Sequence, residues 1–72
     1  MIEDTATELN KLLLDQNRRF AEIVPMLRNQ LSTEELKEYT NPIGHMMALS
    51  FDILEKLWQM YPDLKPDEFT TR

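Results

Sequence analysis

Three residues near the middle of the chain, His45, Ser50 and Asp52, are of the types that form a nucleophilic triad. Because an α-helix turns by about 100° per residue, the step from His45 to Ser50 amounts to about 140° and separates the two side chains. Asp52 shares the polar face of His45 but lies two turns away. The spacing therefore predicts no catalytic site and an exposed or helix-terminal His45. A ligand-binding or enzymatic bundle that uses His45 is an alternative, which requires His45 to be recessed beside a carboxylate.

The composition also argues against a metal site. The chain has no cysteine and one histidine, so it lacks the ligands of a Cys/His zinc site. The acidic stretch from Asp63 to Glu68 lacks the glycine and the alternating oxygen ligands of a calcium loop. The acidic pair Glu34 and Glu35 stands at a predicted helix start, where the helix dipole accounts for it. We therefore expect no metal and no cofactor.

His45, Ser50 and Asp52 lie in the most apolar stretch of the chain, residues 43–61, which contains the single tryptophan. On a helical wheel its apolar residues fill an arc of about 200°, roughly twice the width that a two-helix contact needs. The start signal at Asn41-Pro42 and the stop at Pro62 predict a long central helix over 42–61.

The excess apolar width predicts further apolar neighbours, supplied by a second copy of the chain in a homodimer. A groove for a foreign helix is the alternative use of the same surface. The residues expected at the dimer interface are Met46, Met47, Ser50, Phe51, Leu54, Trp58 and Tyr61.

In the N-terminal region, apolar residues repeat at intervals of three and four from Ile2 to Leu27, with Gln16 in one slot. This heptad pattern predicts a helix over 4–24. Pro25 predicts a kink at its position, followed by a segment over 25–31.

Ser32 and Glu35 match the capping box and predict the start of a short helix over 33–39. The tail, 62–72, has room for one further turn, and its last three residues are expected to be mobile. Together the elements predict a single all-α domain: a small helical bundle of two long antiparallel helices and a short connecting helix. A chain of 72 residues without disulfides buries a modest core, so we expect dimerisation to complete the bundle.

Charge limits the classes of partner. Against 8 basic residues the chain has 13 acidic ones, a net charge of −5, which opposes binding to nucleic acid or anionic lipid. The sequence has neither the n-region of a signal peptide nor an apolar run long enough for a membrane span. We expect a cytoplasmic protein that binds neither membrane nor nucleic acid directly.

The charge is unevenly distributed. Residues 1–15 hold one basic and four acidic residues, a net −3, and residues 16–31 hold three basic and one acidic residue, a net +2. This distribution favours antiparallel pairing, in which the basic part of one chain meets an acidic part of another. The residues expected to contact a partner protein are Arg18, Arg19, Arg28, Glu34, Glu35 and Glu38.

The function that these patterns indicate is protein–protein interaction without catalysis. The chain would act as a small acidic helical adaptor or regulator that binds and modulates a partner protein. An alternative is a phage or mobile-element inhibitor that occupies the nucleic-acid-binding surface of its target. That alternative requires the acidic side chains to form one continuous stripe.

Overall fold

The computed structural model describes residues 1–69, which contain two long α-helices and two short 3₁₀ helices. Helix α1 spans Glu3–Arg28, and helix α2 spans Thr33–Met60. The 3₁₀ helices, Pro62–Leu64 and Asp67–Phe69, form what we call the C-terminal segment (residues 62–69). The predicted all-α class is confirmed, whereas the expectation about the last three residues lies outside the described part.

The two long helices are antiparallel and pack along their length. A side-chain hydrogen bond joins Asn17 in the middle of α1 to Ser50 in α2. A second joins Asn10, nearer the start of α1, to Trp58, nearer the end of α2. The turn between the helices places the backbone N–H groups of Gln30 and Leu31 on the Leu27 carbonyl, at 3.0 and 3.2 Å.

Helix α2 is continuous, where the sequence predicted a short helix over 33–39 and a separate central helix over 42–61. Pro42 inside it removes one backbone donor, at a cost of about 3 kcal/mol in a helix interior. The residues of α2 nearest α1 keep one regular spacing on both sides of Pro42, so an unbroken helix keeps them all in contact. This packing against α1 offsets the cost of Pro42. The prediction of two separate helices was therefore wrong. These inner positions of α2 are Leu36, Thr40, Ile43, Met47, Ser50, Leu54, Leu57 and Tyr61, all buried or half-buried.

Helix α1 continues through Pro25 and ends at Arg28, where the sequence predicted a kink and a new segment. Pro25 lies in the last turn, where it removes the hydrogen bond that a backbone N–H at this position would donate to Ala21, and three helical residues follow it. Asn17 is buried, and Gln16, which the predicted pattern placed in the apolar stripe, is exposed. The stripe that packs on α2 is thus shifted by one position in this part of the helix. The inner positions of α1 and the following turn are Ala6, Asn10, Leu13, Asn17, Phe20, Val24, Leu27 and Leu31.

The resulting molecule is one layer of helices with a thin core. Its extents are 45 × 27 × 16 Å, and the smallest is little more than the diameter of one helix. Among residues 1–69, the buried apolar side chains are those of Ala6, Leu54, Leu57 and Trp58. Most other inner positions are half-buried, since a single layer leaves both sides of each contact near solvent.

Candidate functional site

His45, Ser50 and Asp52 are not brought together. His45 is exposed, in a shallow depression lined by Asn41, Gly44 and Ala48. Ser50 faces α1 and bonds to Asn17, while Asp52 is exposed. An enzymatic bundle would need His45 in a recess beside a carboxylate, and the exposed His45 is not in such a recess. In the described part of the chain, no group of three or more His, Cys, Asp or Glu residues is placed to hold a metal ion.

Trp58 connects three parts of the fold. It is 7% exposed, and its Nε1–H donates a hydrogen bond of 2.8 Å to Oδ1 of Asn10. The Nδ2 of Asn10 donates in turn to the backbone carbonyl of Leu64, at 3.2 Å. The amide of Asn10 therefore ties α1 to α2 on one side and to the C-terminal segment on the other.

Aromatic contacts hold the end of the C-terminal segment on the same side of the layer. The ring of Phe69 stacks on Trp58 with 5.8 Å between centroids and meets Phe51 edge-on at 5.5 Å. The ammonium group of Lys65 lies 5.7 Å from the centre of the Trp58 ring, within the range of a cation–π contact. The side of α2 that carries Phe51 and Trp58 is therefore covered by the chain itself.

A second polar contact lies in the middle of the helix pair. The Ser50 hydroxyl lies 2.7 Å from Oδ1 of Asn17 and 3.0 Å from the Met47 carbonyl, so its single hydrogen is shared between two acceptors. Asn17 is 5% exposed, and its Nδ2 has no hydrogen-bond partner among the described residues. Asn17 thus buries an amide nitrogen without a hydrogen bond in the contact between the helices, whereas both polar atoms of the Asn10 amide are hydrogen-bonded.

The residues predicted at the dimer interface lie mainly inside the chain. Leu54 and Trp58 are buried, and Tyr61 is half-buried, with its hydroxyl donating to the Met1 carbonyl. Met47, Ser50 and Phe51 are also half-buried, as residues of the helix pair or beneath Phe69. Met46 is the member of the predicted set that is exposed. The prediction therefore selected the side of α2 that the rest of the chain covers, apart from this one residue.

The other side of α2 carries a second apolar stripe that faces solvent. Each of its residues precedes an inner position by one, so the stripe lies about 100° around the helix from α1. Its large apolar side chains are between 45% and 67% exposed. They are Tyr39, Met46, Leu49, Ile53 and Met60.

Helix α1 contributes to the same side of the layer. Both helices are right-handed, and they run in opposite directions. The residue that precedes an inner position therefore lies on the same side of the layer in both helices. The residues that follow inner positions by one agree with this geometry. Leu14 of α1 and Phe51 of α2 are two such residues, and both line one cleft with Phe69 on the opposite side of the layer. The residues of α1 that precede inner positions and are apolar are Leu9, Leu12, Ile23 and Met26, of which Leu12 and Met26 are exposed.

We call the surface formed by these nine apolar residues of α1 and α2 the open face. Six polar residues lie at the same steps, of which Gln16, Arg19 and Lys56 are in the central part and Thr5, Gln30 and Glu35 near the ends. Of the residues of the open face, the predicted interface includes Met46 alone, although α2 carries a signal for the others. Seven-residue steps connect Tyr39, Met46, Ile53 and Met60, and this repeat is as regular as the inner one.

The charged residues predicted to contact a partner are exposed. The guanidinium groups of Arg18 and Arg19 lie 3.8 and 3.2 Å from the carboxylate of Asp15, and both side chains are more than 70% exposed. Arg28 and Glu34 lie near the turn that joins the helices. Glu38 is exposed one turn into α2.

Glu35 has a structural role in addition. Its carboxylate accepts from the backbone N–H of Ser32, and its own N–H donates to the Ser32 hydroxyl, both at 3.2 Å. The predicted capping box is therefore confirmed. Hydrogen bonding to Ser32, through its side chain first and its backbone second, lowers the pKa of the Glu35 carboxyl below its ordinary value.

No helix within residues 1–69 combines the length and the apolar character needed to cross a bilayer. Searches of protein-family models, of curated proteins and of solved structures returned no match to this chain. The open face is thus an uncovered apolar surface of the two helices, on the side opposite the C-terminal segment.

Proposed function

We propose that this chain is a non-enzymatic protein–protein interaction module, which acts as a small acidic adaptor or regulator of a partner protein. The observation that carries the proposal is the open face, where Met46, Leu49 and Ile53 expose contiguous apolar surface at regular helical spacing. Contiguous apolar surface of this kind marks sites of protein association. Exposed methionines suit such a surface because their flexible thioether side chains adapt to a partner.

The charged residues at the edges of the layer supply candidate contacts for orientation. Arg18 and Arg19 flank Asp15 on α1, and Glu34 and Glu38 lie at the start of α2. Such residues at the rim of an interface steer encounter and choose between partners more than they add affinity.

Two other functions have less support. An inhibitor that imitates nucleic acid needs one continuous acidic stripe, whereas Asp15 on α1 is ion-paired with Arg18 and Arg19. A bundle that uses His45 in catalysis needs that residue in a recess, and His45 is exposed.

The proposal is tested by affinity capture from native lysate with quantitative mass spectrometry, on the wild type and on two variants. Ile53→Lys places a charge on the open face, and Gln59→Lys places the same charge on an exposed position outside it. We expect at least one protein captured by the wild type and by Gln59→Lys to fall at least tenfold with Ile53→Lys. Capture that is identical for all three proteins would contradict a role of the open face in binding.

A further inference from the structure

We infer that the occupant of the open face is a second copy of this chain, and that two helix pairs stack face to face into a four-helix bundle. This inference rests on the proposed function and names its first partner. Regular apolar spacing on both helices is the pattern that such bundles bury. In the open face the apolar positions include Met46 and Ile53 of α2 and Leu9, Leu12 and Ile23 of α1, and on α1 the polar Gln16 and Arg19 lie between Leu12 and Ile23.

The size of the chain's surface supports a missing second layer. The accessible surface is 5918 Å², whereas a compact monomer of 8.6 kDa exposes about 4,700 Å². The radius of gyration is 14.8 Å, against about 11 Å for a compact domain of this length. The chain is thus more extended than a compact monomer, and a second layer would thicken its smallest dimension of 16 Å.

The open face also has the area that a stable dimer needs. Helices of 26 and 28 residues extend about 40 Å, and two neighbouring helices present a strip about 20 Å wide. The resulting contact is about 800 Å² on each copy, which is the standard size for a specific interface. Nine of its residues are apolar, and its central part also contains Gln16, Lys56 and Arg19, which is ion-paired with Asp15.

Charge selects between the two ways of stacking the layers symmetrically. In one, α1 lies across α2 of the other copy; in the other, α1 lies antiparallel across α1 of the other copy. The second arrangement brings residues 1–15, with a net charge of −3, against residues 16–31 of the other copy, with +2. Of the three arginines, Arg19 lies at an open-face position, whereas Arg18 and Arg28 each follow an inner position by one and lie on the side of the C-terminal segment. The charge difference between the two halves of α1 therefore acts over a distance, and it favours this arrangement.

The two-fold axis then passes close to Leu49. The bond between Asn17 and Ser50 sets the register, and it places Leu49 near the middle of the layer's length. Leu49 is 63% exposed on the open face, so the Leu49 side chains of the two copies come near each other at the axis. The chain contains no cysteine, and one introduced thiol therefore reports on one position.

The first test is sedimentation equilibrium on the wild type, Ile53→Lys and Gln59→Lys over about 1 to 100 µM. We expect the wild type and Gln59→Lys to show twice the mass of 8.6 kDa, with a melting midpoint that rises with concentration. Ile53→Lys is expected to lose association at least a hundredfold. A wild type that stays monomeric throughout, with a concentration-independent melt, overturns the inference.

The second test avoids destabilising substitutions. Leu49→Cys is expected to cross-link between chains with a short bismaleimide, and Ala48→Cys, on the exposed side away from the open face, is not. Equal cross-linking at both positions overturns the arrangement. A monomeric wild type whose captured protein is still lost with Ile53→Lys overturns self-association alone and leaves the proposed function with a foreign occupant. If capture is also unaffected by Ile53→Lys, both proposals fail.

Discussion

The same substitution at two equivalent asparagines should change stability in opposite directions. Asn10 and Asn17 are seven residues apart at inner positions of α1. Both oxygen and nitrogen of the Asn10 amide are hydrogen-bonded, to Trp58 and to Leu64. Asn17 accepts from Ser50 but leaves its buried Nδ2 without a partner among the described residues. Leucine has the same branched shape as asparagine and is therefore a suitable replacement at both positions.

For Asn10→Leu we expect a loss of about 2 to 4 kcal/mol. Two hydrogen bonds are worth about 1 kcal/mol each, and the Nε1–H of buried Trp58 is left without its acceptor, at a cost of about 1 to 3 kcal/mol. The added apolar burial of leucine returns about 1 kcal/mol.

For Asn17→Leu we expect a gain of about 1 to 3 kcal/mol. The hydroxyl of Ser50 keeps the Met47 carbonyl as its acceptor, so one bond of about 1 kcal/mol is lost. That loss is outweighed by removal of the unpaired Nδ2, worth about 1 to 3 kcal/mol, and by the burial of leucine.

Urea denaturation followed by circular dichroism measures both changes, with all proteins at one concentration so that association contributes equally. The alanine variants Asn10→Ala and Asn17→Ala separate hydrogen bonding from the volume that leucine adds. If the leucine variants shift the denaturation midpoint equally, or if Asn17→Leu is the more destabilising, the reasoning from hydrogen bonds is refuted.

Four further predictions follow, two on the capping box, one on the C-terminal segment and one on the histidine. Ser32→Ala should destabilise the protein by about 0.5 to 2 kcal/mol, and an unchanged urea midpoint would contradict the capping role. Folding lowers the pKa of Glu35, so its carboxylate stabilises the fold above the unfolded pKa, and this stabilisation is lost as pH falls through the folded pKa. The midpoints of wild type and Glu35→Gln should therefore differ at pH 7 and converge in acid, with Gln59→Ala as a pH-insensitive control. Phe69→Ala removes the stack on Trp58 and should shift the tryptophan fluorescence to longer wavelength, and an unchanged spectrum would contradict the contact. His45→Gln should change any activity by no more than a few-fold, since His45 is exposed, and a thousandfold loss would overturn the non-enzymatic proposal.

The sequence by itself determined what depends on near neighbours along the chain. The all-α class follows from apolar residues at intervals of three and four, and the start of α2 follows from Ser32 and Glu35. Both features rest on interactions within one or two helical turns, so residue types and spacing are sufficient to predict them. The two prolines inside the helices, Pro25 and Pro42, were less informative, because the cost of Pro42 inside α2 is offset by packing against a helix that is distant in the sequence.

Only the tertiary structure decided which side of α2 faces α1. Two stripes with the same spacing lie one residue apart, and polar residues interrupt both of them, Thr40 and Ser50 the inner one and Glu35 and Lys56 the outer one. Apolar width alone therefore could not select it. The choice depends on hydrogen bonds of Ser50 to Asn17 and of Trp58 to Asn10, which join positions 33 and 48 residues apart. Helical periodicity describes one helix at a time. The hydrogen-bond partner of a polar side chain on one helix is set only when the two helices pack together.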